Sequence, residues 1–92
     1  MDDATPPIRA VIADDERLMR EQLRARLAEV WPALQIVGEA KHGAEAVEQV
    51  TALKPDVAFL DIRMPGMTGV EAARAIARLD ADAGWPGCEV VF

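Results

Sequence analysis

The sequence predicts an α/β fold: a doubly wound parallel sheet with helices on both faces. Three observations predict it. Short apolar runs alternate with segments of helical periodicity, in the order β-α-β-α-β-α-β. Those runs are continuously apolar rather than alternating, as expected of strands covered on both sides. Two of them, in "AVIADDER" at 10–17 and "VAFLDIRMPGMTG" at 57–69, stop on carboxylates: Asp14, Asp15 and Glu16 in the first, Asp61 in the second.

Residues 1–7 are polar and contain proline, and read as a flexible leader. "IRAVIA" at 8–13 reads as the first strand. A helix follows over about 16–31, because Leu18, Met19, Leu23, Leu27, Val30 and Trp31 recur at three and four residues. Pro32 ends it. "LQIVGEA" at 34–40 is the second strand, "KHG" a loop, and 44–53 a helix with Val47, Val50 and Leu53 inward. Lys54-Pro55-Asp56 stops that helix and turns the chain. "VAFL" at 57–60 is the third strand. After the loop "DIRMPGMTG", a third helix over 70–79 puts Val70, Ala73, Ile76 and Ala77 inward. "DADAGWPG" is a polar loop, and "CEVVF" begins a fourth strand.

Ninety-two residues allow one small domain. Just over half are apolar, but only Trp31, Phe59, Trp85 and Phe92 are aromatic, so aliphatic side chains must do the packing. A net charge of −6 argues against direct nucleic-acid binding by this segment. The arginines of "RLMREQLRARL" at 17–27 read as a solvated helix face, with a polyanion contact as the alternative. Cys88 stands alone and reads as a plain buried or half-buried thiol. "MDDATPPIRA" has no signal-peptide apolar core, and no run approaches the ~20 residues of a membrane span, so a cytoplasmic protein is expected.

In an open parallel sheet, ligands bind beyond the carboxyl ends of the strands, where the strand order reverses. In the flavodoxin-like order 2-1-3-4, strands 1 and 3 are neighbours. Asp14, Asp15 and Asp61 then converge, and their mutual repulsion calls for a counter-charge. Mg²⁺, which takes oxygen ligands and keeps several waters, fits. A carboxylate beside it can act as a nucleophile toward phosphorus. The blander readings are a helix-capping role for Asp14 or Asp15 and an Asx-turn at Asp61. The loop "RMPGMTG" can turn backbone N–H groups toward added oxygens. His42 reads as an exposed loop residue, Met64 and Met67 as loose gap-fillers, and Trp31 and Trp85 as packing or partner-surface residues.

"VIADDE", "VGEAKHGAEAV", "KPDVAFLDIRMPGMTGVE" and "EVVF" together resemble the receiver domain of two-component response regulators, across residues 8–92. The "DER" start, "VGEA" and "FLDIRMPGM" lean toward receivers that precede a LytTR-type (AlgR-type) DNA-binding domain. The resemblance implies that Asp61 is the phosphoacceptor and Mg²⁺ the cofactor. Asp15 would bind the metal directly, Asp14 through water, and Arg63 through its backbone carbonyl. Met64, Pro65 and Gly66 would form the loop that closes the site. It implies a histidine kinase as phosphoryl donor and control of an output domain, transcriptional in type. It also implies that a kinase can dock on the surface of the first helix, where the arginines lie.

The family also carries a Ser or Thr after strand 4, a Lys after strand 5, a fifth strand and two last helices, and "EVVF" stops before any of them. The expectation is a receiver lacking its C-terminal part, either as the retained piece of a longer regulator or as a true truncation. Without the Lys, phosphorylation should be slow or short-lived. A true truncation would leave strand 4 as an edge and the first helix partly uncovered, which predicts a homodimer, with exchange of elements as one form of it. Two other readings stay open. One is a receiver-like interaction module that is not phosphorylated. The other is an aspartyl-phosphate hydrolase of the haloacid-dehalogenase type, against which Arg63 stands where that family needs a second aspartate.

Overall fold

The computed structural model describes residues 7–79 and 85–92. Residues 1–6 of the expected leader and residues 80–84 of the expected loop lie outside them, and Pro7, the last leader residue, is exposed with no regular structure. The elements are β1 (Arg9–Ala13), α1 (Arg17–Val30), β2 (Gln35–Ala40), α2 (Gly43–Leu53), β3 (Val57–Leu60), α3 (Gly69–Ala77) and β4 (Glu89–Val91). The four strands form one sheet in the order β2-β1-β3-β4, and every described pair is parallel. The predicted doubly wound sheet is therefore present, with element ends moved by a residue or two.

Its two faces are covered unequally. Successive side chains of a strand point to opposite faces. Ala58 and Leu60 point to the face covered by α2 and α3, where Ala13, Ala40, Ala46, Val50, Met64, Ala72, Ile76 and Trp85 complete the core. α2 packs on α3 and on β1 and β2, and α3 adds Ala72 and Ile76 to the same core. Phe59 points the other way and is half-buried, lining a cleft of about 520 Å³ with Leu23, Val91 and Phe92. α1 lies on this second face.

The predicted inward stripe of α1 needs correction. Leu27 is buried and Leu23 half-buried, but Leu18 is 69% exposed, and Met19, Val30 and Trp31 are exposed too. Helical spacing gathers these residues along α1. They stay exposed because α1 has no helical neighbour comparable to the α2–α3 pair among the described residues. α1 is instead tied to β2 by charge. Glu39 of β2 pairs with Arg20 Nε at 3.2 Å and Arg24 Nη2 at 2.7 Å, while Arg17 pairs with Glu21 along the helix. The arginine row is thus partly a tether rather than only a solvated face.

The phase of α3 also differs from the expectation. Ala72 and Ile76 face the core, Ala73 is half-buried, and Val70 and Ala77 are exposed. A capping box sets that phase: Thr68 Oγ1 accepts from the Glu71 N–H, and Glu71 Oε1 accepts from the Thr68 N–H. Met64 is 5% exposed and belongs to the core, so it is no loose gap-filler. Trp85 is buried, and its Nε1–H donates to the Pro55 carbonyl at 2.7 Å, which makes it a packing residue. His42 is exposed and caps α2, with Nδ1 accepting from the Glu45 N–H at 3.1 Å. Lys54 ends α2 in the left-handed region at φ 49°.

Candidate functional site

The parallel pairing of β1 with β3 sets Ala13 opposite Leu60, so the residues just beyond them emerge side by side. The Asp61 N–H extends the ladder by donating to the Ala13 carbonyl at 2.9 Å. On the other flank the Asp14 N–H donates to the Ala40 carbonyl of β2 at 3.1 Å. The backbone of these two aspartates is therefore fixed by the sheet itself. Carboxylate oxygens of Asp14, Asp15 and Asp61 all lie within 4.8 Å of one another. They line a cleft of about 320 Å³ together with Glu16, Met19 and Arg63.

The cluster has the electrostatics of crowded acids. Asp14 is half-buried, and its pKa is raised above the ordinary carboxylate value. Loss of water is the main cause. The hydrogen bond that its Oδ1 accepts from the Glu16 N–H at 2.9 Å works the other way, and the charges of Asp61 and Asp15 add to the rise. None of the ion pairs among the described residues involves these three carboxylates. Arg20 is close by, but its Nη1 donates to the Asp14 carbonyl oxygen at 2.8 Å while its Nε pairs with Glu39.

The capping alternative is only partly met. Glu16 is the N-cap of α1, with no side-chain capping bond, and Asp14 acts just before it by holding the Glu16 amide. Asp15 is exposed, with its carboxylate in the cluster. The Asx-turn at Asp61 is loose: its Oδ1 accepts from the Arg63 N–H at 3.4 Å.

The β3–α3 loop is placed by close approach. Gly69 packs so tightly under it that a Cβ there would overlap the Asp61 carbonyl oxygen and sit 2.9 Å from the Ile62 Cα. The Gly69 N–H also donates to the Ile62 carbonyl at 2.9 Å. Gly66, at φ 76°, makes the turn. Arg63 borders the acidic cleft, whereas Met64 and Pro65 line a neighbouring groove with Asp15, Ile62, Thr68 and Val70. Gly66 borders neither cleft. Sequence reasoning missed Arg20 and Glu39 as neighbours of the site. An acidic residue at the end of a strand beside β1 was the available signal.

Comparison with known proteins agrees with this geometry. The family profile "response regulator receiver domain" matches residues 10–92. An uncharacterised response regulatory protein of Vibrio cholerae is 54% identical over 67 residues, covering 73% of this chain and 26% of that protein. The chain thus spans about a quarter of that relative's length. Among solved structures, the signal receiver domain of the NarL response regulator from Mycobacterium tuberculosis aligns with a TM-score of 0.77 at 38% identity, covering 94% of this chain and 64% of that one. A CheX–CheY–BeF3–Mg²⁺ complex from Borrelia burgdorferi aligns with a TM-score of 0.76 at 27% identity, covering 91% of this chain and 59% of that one. An acidic trio at the carboxyl ends of adjacent parallel strands, on this sheet order and with this profile match, places the chain in the receiver-domain family of two-component response regulators.

Proposed function

We propose that residues 8–92 act as a Mg²⁺-dependent phosphoacceptor, with Asp61 taking a phosphoryl group from a histidine kinase. The observation that carries this is the convergence of the Asp14, Asp15 and Asp61 carboxylates within 4.8 Å. Three hard oxygen donors in an open, water-accessible cleft suit Mg²⁺, which keeps part of its hydration shell. Asp15 and Asp61 would hold it directly, Asp14 through water, and Arg63 through its backbone carbonyl. When bound, the ion neutralises charge on the carboxylates and on the incoming phosphoryl oxygens.

Asp61 then supplies the nucleophilic oxygen. The P–O bond to Asp61 forms as the P–N bond to the kinase imidazole breaks, and the imidazole nitrogen recovers a proton. The similar Borrelia complex contains CheY together with Mg²⁺ and BeF3, which supports the same cofactor and phosphoryl chemistry here. Met64, Pro65 and Gly66 would close the loop over the modified side chain through their backbone.

The finer assignments belong to the same proposal. The wording shared with LytTR-associated receivers supports a transcriptional output. Among the described residues no helix is long and apolar enough to cross a membrane, which is compatible with a cytoplasmic regulator. Exposed Leu18 and Ile62 support self-association as a homodimer, with element exchange as one form of it.

Intact-protein mass spectrometry with Mg²⁺ and acetyl phosphate tests the central claim. A gain of one phosphoryl group that is lost in Asp61→Asn supports it. No gain on a chain of verified mass would favour the interaction-module reading instead.

A further inference from the structure

We propose that Arg20, held by Glu39, is a positioning residue for the acidic cluster: it clamps the Asp14–Asp15 peptide so that the carboxylates are preset for a divalent cation. This rests on the phosphoacceptor reading of the site and adds a residue pair to it.

The geometry is specific. Asp14 is fixed at both ends of its backbone to neighbouring residues of β2. Its N–H donates directly to the Ala40 carbonyl at 3.1 Å. Its carbonyl oxygen is reached through Arg20, whose Nη1 donates to it at 2.8 Å while Nε donates to Glu39 Oε1 at 3.2 Å. The Arg20 side chain is only 11% exposed, so its position is enforced by its surroundings. Glu39 is itself anchored, since its backbone carbonyl accepts from Gln49 Nε2 at 2.7 Å and its other oxygen pairs with Arg24.

The carbonyl that Arg20 holds belongs to the peptide joining Asp14 to Asp15. Fixing that plane removes a backbone rotation that would swing the Asp15 carboxylate away from Asp61. Glu39 has a second role. It occupies the guanidinium and keeps that positive charge from turning into the carboxylates, where it would compete with a cation.

A purely electrostatic role for Arg20 predicts the opposite sign. Deleting a cation near the site would by itself tighten Mg²⁺ binding. A role confined to tethering α1 predicts lower stability with unchanged affinity. Arg24 provides the matching control: it pairs with the same carboxylate at 2.7 Å, and its described hydrogen bond goes to Glu39 rather than to Asp14.

The test is isothermal titration of the full chain with Mg²⁺ at fixed ionic strength, on wild type, Arg20→Ala, Arg20→Lys, Arg24→Ala and Glu39→Gln, each checked for folding by circular dichroism. Second-sphere partners of metal sites are commonly worth about tenfold or more in affinity. Arg20→Ala and Glu39→Gln should therefore weaken Mg²⁺ binding about tenfold, with Arg20→Lys in between and Arg24→Ala close to wild type. If Arg20→Ala unfolds the chain, Arg20→Lys and Glu39→Gln carry the decision. Unchanged or tighter binding in the folded Arg20 and Glu39 variants overturns the clamp while leaving the site intact. Equal weakening in Arg24→Ala overturns it too, because Arg24 bonds Glu39 and not the Asp14 carbonyl, so the effect would not run through that peptide. Absence of Mg²⁺ binding by wild type overturns the clamp and the phosphoacceptor reading together.

Discussion

Without a bound cation, the acidic cluster should cost the protein stability, and neutralising Asp61 should return it. Charged oxygens of Asp14, Asp15 and Asp61 lie within 4.8 Å of one another. At that separation each pair of unit charges repels by about 0.9 kcal/mol in bulk water and about 3.5 kcal/mol at an effective dielectric of 20. Asp15 is exposed and the other two are half-buried, so the lower figure governs. Asp61→Asn keeps the shape and removes the charge from two pairs. Relief of the two pairs together should stabilise the Mg²⁺-free protein by about 2 kcal/mol, which raises the melting temperature of a chain this small by about 8–16 °C. The assay is thermal melting in chelator, repeated in excess Mg²⁺ and in high salt. Mg²⁺ should stabilise wild type more than the variant, so the gap narrows or reverses. Salt should shrink it by screening. Acid should close it as well. The folded pKa of Asp14 lies above its unfolded value, so the penalty of its charge is relieved as pH falls through that raised value. An Asn variant no more stable than wild type in chelator would refute the argument that crowding of these carboxylates calls for a cation.

Gly69→Ala should displace Asp61, because the new Cβ meets the Asp61 carbonyl, which is backbone and cannot rotate away. The expected cost is about 1–3 kcal/mol in urea unfolding, accompanied by weaker Mg²⁺ binding. The Arg24 and Arg20 hydrogen bonds hold the Glu39 pKa below its ordinary value. Its contribution is therefore present at neutral pH and lost as pH falls through that lowered value. With a side chain about a third exposed, the loss should be about 1 kcal/mol, read as the difference between wild type and Glu39→Gln in urea unfolding across the acid range. Burial, helped by Asp56 and Glu89, pushes the Cys88 thiol up from 9.0 to about 11. Two pH units leave about a hundredth of the usual thiolate, so alkylation by iodoacetamide at mildly alkaline pH should be about a hundredfold slower in the folded chain than in denaturant.

The strands were legible because burial on both faces writes a continuous apolar run, and Val57–Leu60 was placed to the residue. Asp61 was legible because a carboxylate at the end of such a run has few structural reasons to be there. The inward faces of the helices were less so. Periodicity groups Leu18 with Leu27, yet only the sheet and its other helices decide which of them is covered, and Leu18 is left in water. In α3 the Thr68–Glu71 capping box and the approach of Gly69 to Asp61 turn Ala72 and Ile76 inward, where spacing alone pointed to Val70, Ala73, Ile76 and Ala77. The Arg20–Glu39 pair joins residues 19 apart in sequence, and its sequence mark is no more than an acidic residue near the end of β2. It exists because β2 pairs in parallel with β1, which brings the end of β2 to the first turn of α1.

The parallel pairing of β1 with β3 also governs the order in which the protein is assembled. Ala10 pairs with Val57 and Ala13 with Leu60, so this ladder closes a loop spanning α1, β2 and α2. Such long closures lose chain entropy before any ladder contact offsets it, and they slow folding. α1 and α2 can form locally on a much shorter timescale. The Asp14–Asp61 juxtaposition therefore forms only once that loop has closed, by which time local helix can already be present. A nascent or partly folded chain can have most of its helix and still lack the acidic cluster.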